Sequence, residues 1–474
     1  MRHEKYDLTK GGIFGKIVLI AGPVMGSQLI QMSYNLTDMF WLGRVSAGAV
    51  AASGTIGLYM WLSMAPLMFG RMGAEIGVSQ NMGRGDMHAA RKYGENALVI
   101  SAALGLAFAA MMLIFRRQLV GFFNLPEQGI IDQATLYMNI VAVGVPFTFV
   151  WAVMTACFTA SGNSRTPLFV NLIGLGLNMI LDPILILGFG LGVAGAAIAT
   201  IAAQATGCCV MAYMIKKSSQ RPFELYRFLP RIEFSAIRRI FAWAAPIAAE
   251  SAFFTLVTMV ASRLVSPFGE TALAVGRVGS QIESLSWLLA GGYGSALTSY
   301  MGQNFGAGMW GRIRKGFNIS MLVMGAWGLL ITLFMVFFGG HAFWIFLPDE
   351  AVRSLGITYL RIVAVTQIPQ CFEAVSAAAF RGSGRTAPPS ITSISSNILR
   401  VILAYMFVGV WGAPGVWIAI TASAFIRGTV TTTLYLVKSR KNPTEDTPRE
   451  AVADEDMLQE ATSDLPPEAA AVET

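Results

Sequence analysis

The stretch SQNMGRGDMHAARK at residues 79–92 is the most informative part of this sequence, because it returns as GQNFGAGMWGRIRK at 302–315, an offset of 223 residues. Three further segment pairs follow at nearly the same spacing: NLPEQGIIDQATLYMNIVAVGVP (124–146) with FLPDEAVRSLGITYLRIVAVTQIP (346–369), SGNSRTP (161–167) with GSGRTAPP (382–389), and GLGVAGAAIA (190–199) with VWGAPGVWIA (410–419). Matching motifs in one order at a constant offset indicate an internal duplication. The chain therefore consists of two similar halves.

The composition places both halves in a membrane. Of the 474 residues, 54% are hydrophobic and only 13% are charged, with a mean hydropathy of +0.58. A soluble protein of this length could not bury so much apolar surface. Apolar windows long enough to cross a bilayer recur along the whole chain. We predict an all-α integral membrane protein with twelve spans, at 14–42, 51–77, 93–115, 133–158, 166–189, 192–215, 238–264, 271–299, 316–338, 356–380, 388–409 and 413–437.

The number of spans in each half determines how the halves are related. Six spans are an even number, so both halves begin on the same side of the membrane and form parallel repeats about an axis along the membrane normal. Such a pair encloses a central cavity that can open to either side. We expect an N-terminal lobe over 1–215, a linker over 216–237 and a C-terminal lobe over 238–441, followed by a tail over 442–474.

The distribution of charge predicts the topology. Basic residues cluster before span 1 and after every even-numbered span, with seven in the loop between spans 6 and 7. Positively charged loops remain in the cytoplasm, so both termini are predicted to be cytoplasmic, in a cell (inner) membrane. The tail carries ten acids and one arginine, a net −9 that leaves +16 for the rest of this +7 chain. Its Pro- and acid-rich composition is typical of a disordered segment.

Few residues could support metal or redox chemistry. The four cysteines, Cys157, Cys208, Cys209 and Cys371, all lie in predicted spans and are interpreted as small apolar residues. Only three histidines are present, so a metal-dependent membrane enzyme has almost no ligands available. We expect no metal, no cofactor beyond a coupling ion, and no enzymatic activity.

The duplicated motifs resemble those of the multidrug and toxic compound extrusion (MATE) transporters. The Q-N-x-G-x-G element after spans 2 and 8 and the G-x-x-R-T element after spans 4 and 10 carry the resemblance, which extends over roughly residues 10–440. It implies the two-lobed MATE/MOP fold, in which two six-helix lobes are related by pseudo-two-fold symmetry. Major facilitator transporters also have six plus six spans, but their D-R-x-G-R pattern is absent from NMGRGDMHAARK.

Asp38 is the most unusual residue of span 1, since a carboxylate in hydrocarbon is costly and usually functional. At 1.5 Å per residue, Asp38 lies about 33 Å along span 1 and Asp182 about 22 Å along span 5, while Thr200 lies about 12 Å below the outer surface in span 6. Asn178 precedes Asp182 by one turn on the same helical face. All four side chains could therefore meet in the outer half of the first lobe.

Two carboxylates in such a pocket disfavour double ionisation, which is the chemistry that a proton-coupled carrier needs. Pro183 lacks a backbone donor, and a bend beside Asp182 is therefore expected. The alternative is a buried structural network, which Asn or Ser would satisfy equally well.

The resemblance implies the same residues. The archaeal and DinF-like prokaryotic branches use an aspartate in span 1, an N-x-x-x-D-P element in span 5 and a threonine in span 6. These positions match Asp38, Asn178, Asp182 and Thr200. Gln31 and Tyr34 match polar positions that line the substrate cavity in the family, although simple packing is an alternative for both.

The second lobe has its own intramembrane charges: Glu250, Glu283, Glu373 and Arg400. Glu250 and Glu373 resemble the acids of the Norm-like branch, which couples ions in spans 7 and 10. A static ion pair of Arg400 is the structural alternative, and Glu250, at a similar depth, is the expected partner. For Glu75, beside Arg71 at the inner end of span 2, we predict an interfacial role.

These observations favour a secondary active exporter of organic cations or amphipathic compounds, driven by H⁺ or Na⁺. Ionised Asp38 and Asp182 would attract a cation into a cavity lined by Met and aromatic residues. A flippase of lipid-linked oligosaccharides, from the same superfamily, would instead need a cationic cavity for pyrophosphate. A membrane-embedded enzyme would need clustered catalytic groups at one interface. We expect a monomer whose partners are small molecules and the lipid bilayer, not nucleic acid.

Overall fold

The computed structural model describes residues 6–123, 127–218, 223, 226, 232–268, 270–346 and 350–440, and every regular element in these ranges is a helix. The predicted acidic tail lies outside the described residues, as does half of the linker. Spans 1 to 6 consist of Ile13–Val45, Ala47–Leu62 with Met64–Arg84, Met87–Ile114, Gln128–Ala160, Arg165–Pro183 with a π-helical turn Ile184–Gly188, and Gly192–Lys217. Spans 7 to 12 consist of Phe234–Val265, Glu270–Gly306, Trp310–Phe346, Glu350–Ala364 with Gln367–Gly382, Ala387–Trp411 and Ala413–Arg440.

The predicted membrane character of these helices is confirmed. Within the described ranges, nine helices are long and apolar enough to cross a bilayer, and two bent pairs raise the number to eleven. Span 8, Glu270–Gly306, is the remaining long helix. It has 37 residues but carries more polar side chains than the others.

Spans 2 and 10 are broken, which the sequence analysis did not predict when it treated 51–77 and 356–380 as continuous. Each pair of helices bends by 42° at its break. The side chain at each break replaces part of the lost backbone bonding: the Ser63 hydroxyl donates to the Met60 carbonyl, and the Thr366 hydroxyl to the Val363 carbonyl, both over 2.7 Å. Hydroxyl side chains compete with the helical backbone in this way.

Spans 1 and 7 hold the two lobes together, because the first half of each packs against the opposite lobe. Ile17 and Ile20 of span 1 are fully buried in a core with Tyr293 and Val375 of the second lobe. Reciprocally, the first half of span 7 is buried against span 2 of the first lobe, where Ile247 packs with Ile76 and others. Both contacts lie at the end of the molecule that carries the basic loops, so the lobes are closed together at that end.

Candidate functional site

Asp38 lies in the far part of span 1, away from the basic loops, and its side chain turns into the first lobe. The Thr200 hydroxyl donates a hydrogen bond to Asp38 Oδ2 over 3.3 Å. The Asp38 carboxyl also lies against the side chains of Asp182 and Asn178. The structure therefore brings together the four residues that helical depth placed in the outer half of the first lobe.

Span 5 supplies Asn178 and Asp182 from a single buried face. The buried residues of this helix recur every three or four positions: Pro167, Val170, Gly174, Asn178 and Asp182. The Asn178 amide donates to Asp182 Oδ1 over 3.2 Å, and neither residue has any solvent exposure. The α-helix ends at Pro183 and continues as a π-helical turn, while the bend expected beside Asp182 stays a prediction.

The pocket contains oxygens that no donor satisfies. Asp38 Oδ1, Asp182 Oδ2 and Asn178 Oδ1 are buried and have no hydrogen-bond partner. No lysine or arginine among the described residues forms an ion pair with either aspartate. Buried polar atoms are normally paired, and a buried carboxylate needs a counter-charge. One proton can bridge two carboxylate oxygens, whereas a small monovalent cation can bind several oxygens at once.

Two tyrosines complete the wall of this pocket. Tyr34, which the sequence singled out, lies beside Thr200, and its buried hydroxyl has no hydrogen-bond partner. Tyr137 of span 4 lies close to Asp38 and Asp182. Sequence reasoning missed Tyr137 because a tyrosine in an apolar span is usually a packing residue. Gln31 is exposed, one turn from Tyr34 toward the basic end, and is not part of the pocket.

The acids of the second lobe are arranged differently, because each has a polar or cationic partner. Glu373 of span 10 accepts a hydrogen bond from Arg427 Nε of span 12 over 2.7 Å. Glu250 of span 7 accepts from the Ser390 hydroxyl over 2.9 Å and lies 3.6 Å from Arg381. Arg381 and Arg427 were not among the sequence-predicted site residues.

Arg400 and Glu250 are not partners, so the predicted ion pair between them is wrong. Arg400 Nε donates to the Ser423 hydroxyl over 2.9 Å, and its guanidinium lies 6.0 Å from the Phe254 ring. Glu283, the third acid of this lobe, accepts a hydrogen bond from the Gln370 amide over 3.2 Å. Arg400 is close enough to influence Glu283 electrostatically without an ion pair.

Glu75 also differs from its predicted interfacial position. Its side chain is 1% exposed, and it is enclosed between the lobes, where it accepts from the Ser295 hydroxyl of span 8 over 3.0 Å. Arg71 Nε lies 3.9 Å from the other carboxylate oxygen. The sequence placed Glu75 at the inner end of span 2, but it did not predict that the second lobe covers this residue.

Two lobes of six spans, each enclosing intramembrane acids, define a membrane transporter rather than an enzyme. The sequence matches the MatE family over residues 23–184 and 246–406, one match in each half. This chain therefore belongs to the MatE family, as its duplicated motifs predicted.

Relatives and solved structures agree with this assignment. A protein of Thermotoga maritima named probable multidrug resistance protein NorM is 28% identical over 432 residues, which cover 89% of this chain and 92% of the relative. The probable multidrug resistance protein YpnP of Bacillus subtilis is 26% identical over 76% of this chain and 80% of its own length. A MATE transporter of the MOP superfamily, solved in an outward-facing conformation, superposes with a TM-score of 0.85 at 22% identity, covering 92% of this chain and 98% of that one.

Proposed function

We propose that this protein is a secondary active multidrug exporter, in which H⁺ or Na⁺ entering through Asp38 and Asp182 drives organic cations or amphipathic compounds out of the cell. The observation that carries the proposal is the pair of carboxylates with buried, unsatisfied oxygens, with which no lysine or arginine of the described part of the chain forms an ion pair. The names of the relatives support drug efflux as the activity.

The coupling ion and the substrate compete for the same negative charge. When the pair is ionised, it attracts a cationic substrate; when it holds a proton or Na⁺, that attraction is cancelled. A shared proton needs only the two facing carboxyl groups, which favours H⁺. A sodium ion would use Asn178 Oδ1 and the Thr200 hydroxyl as additional ligands, since Na⁺ prefers several oxygens. The composition of this pocket supports membership of the DinF-like or archaeal-type branch, which we propose for this chain.

The cleft between the lobes provides a surface for the substrate. Trp61 at the end of the first helix of span 2 and Trp287 of span 8 are exposed, and their ring centroids lie 6.3 Å apart across the lobes. Aromatic faces attract organic cations. Since the lobes are closed together at the basic end and basic loops remain in the cytoplasm, we propose that the space between the lobes opens away from the cytoplasm. The same rule supports cytoplasmic termini, and we propose that the protein lies in the inner membrane and acts as a monomer.

Transport by purified protein in vesicles tests this proposal. Efflux of the fluorescent cation ethidium is followed after a pH gradient or a Na⁺ gradient is imposed separately. We expect one gradient to drive efflux by the wild type and neither to drive it in Asp38→Asn. Asp132→Asn is the matched control, since Asp132 is an exposed aspartate of the same lobe. Gradient-driven efflux at the wild-type rate in Asp38→Asn would contradict the coupling role.

A further inference from the structure

The duplicated Q-N-x-G-x-G stretches at 80–85 and 303–308 do not touch the acid pair, yet they make reciprocal contacts between the lobes. Gln80 Nε2 donates to the carbonyl of Gly382 over 2.9 Å, and Gln303 Nε2 donates to the carbonyl of Ala160 over 2.7 Å. Gly382 ends span 10 and Ala160 ends span 4. Each glutamine thus caps the corresponding helix of the opposite lobe.

The capped carbonyls have no partner within their own helices. The last four carbonyls of an α-helix lack an intrahelical donor, and a buried carbonyl must find another. Here the donor comes from the opposite lobe, and both glutamines are at most 4% exposed. Separating the lobes at this end would break both hydrogen bonds at once.

The glycines of the same motif allow this contact. A Cβ on Gly83 would overlap the carbonyl oxygen of Gln303, and a Cβ on Gly306 would overlap the carbonyl oxygen of Gln80. Spans 2 and 8 therefore touch backbone to backbone, as only glycine permits. In both motifs, the glycine allows the close approach of spans 2 and 8, and the glutamine forms the hydrogen bond to the opposite lobe.

One half of the contact is reinforced by the segment that precedes span 1. Gln303 Oε1 accepts from the Leu8 amide over 3.0 Å, while Arg312 donates to the carbonyls of Leu8 and Gly11 over 3.1 and 2.9 Å. Leu8 is fully buried. Both ends of the Gln303 amide are consequently bound, one to span 4 and one to the N-terminal segment.

We propose that Gln80 and Gln303 form a reciprocal latch that sets the equilibrium between conformations closed and open at the basic end of the molecule. This inference rests on the proposed function, because an exporter must alternate between the two conformations. The latch stabilises only the conformation in which the lobes meet at that end, and so it shifts populations rather than binding substrate or ion. Gln303 contributes more than Gln80, since it holds two partners.

Distances between spin labels test the latch without substrate or ion gradient. One pair, His88→Cys with Gly311→Cys, reports on the basic end; the other, Arg117→Cys with His341→Cys, reports on the opposite end. Each pair joins two exposed positions, one in each lobe. Cys208 and Cys209 are replaced by alanine to prevent stray labelling.

We expect Gln303→Ala to raise the ratio of open to closed molecules at the basic end about tenfold, since a buried carbonyl loses its donor. Distances at the opposite end should shorten in the same molecules. Gln80→Ala should act in the same direction with a smaller shift. Asn81→Ala is the matched control, because the Asn81 amide donates over 2.7 Å to Gly77 of its own helix. It should leave both distributions unchanged.

Unchanged distances in Gln303→Ala would overturn the latch, as would widening at the basic end without shortening at the other. The latch would also be overturned if Asn81→Ala shifted the distances as much as Gln303→Ala does. Such a result would show that any loss of a buried amide at this end shifts the equilibrium. These outcomes are independent of the vesicle experiment. If the latch operates but no ion gradient drives efflux, then the proposed function fails and the latch stands.

Discussion

The two lobes of this transporter hold intramembrane acids in opposite ways. In the first lobe, Asp38 and Asp182 face each other with buried oxygens that lack partners. In the second lobe, Glu373 is bound to Arg427 and Glu250 lies beside Arg381. Within the described residues, no buried carboxylate oxygen of these two glutamates is left without a partner.

Under the proposed function, this difference separates a site that would take up a coupling ion from one in which Glu250 and Glu373 already lie beside arginines. A carboxylate bound to an arginine gains little from a proton or a sodium ion, because the counter-charge is present. Two carboxylates without a counter-charge gain much more stabilisation from a bound proton or sodium ion. The duplication therefore produced two similar lobes, of which we expect the first to bind the coupling ion and the second to contribute a rigid polar core.

Neutralising one acid in each lobe should give the largest contrast. Asp182→Asn should reduce gradient-driven efflux by at least about a hundredfold, since an amide cannot take up and release a proton at working pH. Because it removes a buried charge without a counter-ion, its melting temperature in detergent should not fall. Glu373→Gln should retain efflux but melt at a lower temperature, because Arg427 loses its partner.

The reverse pattern, with efflux retained in Asp182→Asn and lost in Glu373→Gln at equal expression, would move ion coupling to the second lobe.

Stability should reveal the second-lobe ion pair. Truncating one partner of a buried pair leaves the other charge without compensation, so Arg427→Ala should lower the free energy of unfolding by about 3 kcal/mol. The double variant Arg427→Ala/Glu373→Gln should recover part of this loss by removing both charges. Chemical denaturation of the two single variants and the double variant measures the coupling.

Arg400 and Glu250 provide the comparison pair for this cycle, since they lie in the same lobe but do not contact each other. Their single losses should add in the double variant. Equal recovery in both double variants would mean that the loss reflects total charge and not a specific ion pair.

A smaller effect is expected for Asn178→Ala. Asn178 donates to Asp182 but cannot itself exchange a proton, so its removal should slow gradient-driven efflux about tenfold without abolishing it. When the efflux rate is measured against the size of the ion gradient, Asn178→Ala should need a larger gradient to reach a given rate. Complete inactivity of Asn178→Ala beside an active Asp182→Asn would reverse the roles assigned to the two residues.

The fold was largely predictable because the features that determine it can be read along the sequence. Repeated motifs show the duplication, and apolar stretches show where helices cross the membrane. The breaks in spans 2 and 10 were not predictable, since Ser63 and Thr366 are ordinary residues of transmembrane helices whose hydroxyls only occasionally replace a backbone bond.

The first-lobe pocket was predictable from depth, because the helical rise fixes the height of each residue and only a few polar residues share one level. Depth does not fix the rotation of a helix or its neighbours. Arg400 and Glu250 have similar calculated depths, yet Arg400 contacts Ser423 of span 12 while Glu250 contacts Ser390 near the start of span 11. Tyr137 was missed because a tyrosine in an apolar span is usually a packing residue.

Ion release on substrate binding is the most direct test of the claim that Asp38 and Asp182 exchange a coupling ion for an organic cation. Tetraphenylphosphonium is added to purified protein in weakly buffered detergent, while a pH indicator and a sodium electrode record the ions set free. We predict release of about one H⁺ or Na⁺ per bound cation in the wild type and in Glu373→Gln, because the pair holds a single exchangeable charge. Asp38→Asn should release none, and release of the same amount by Asp38→Asn would contradict the account.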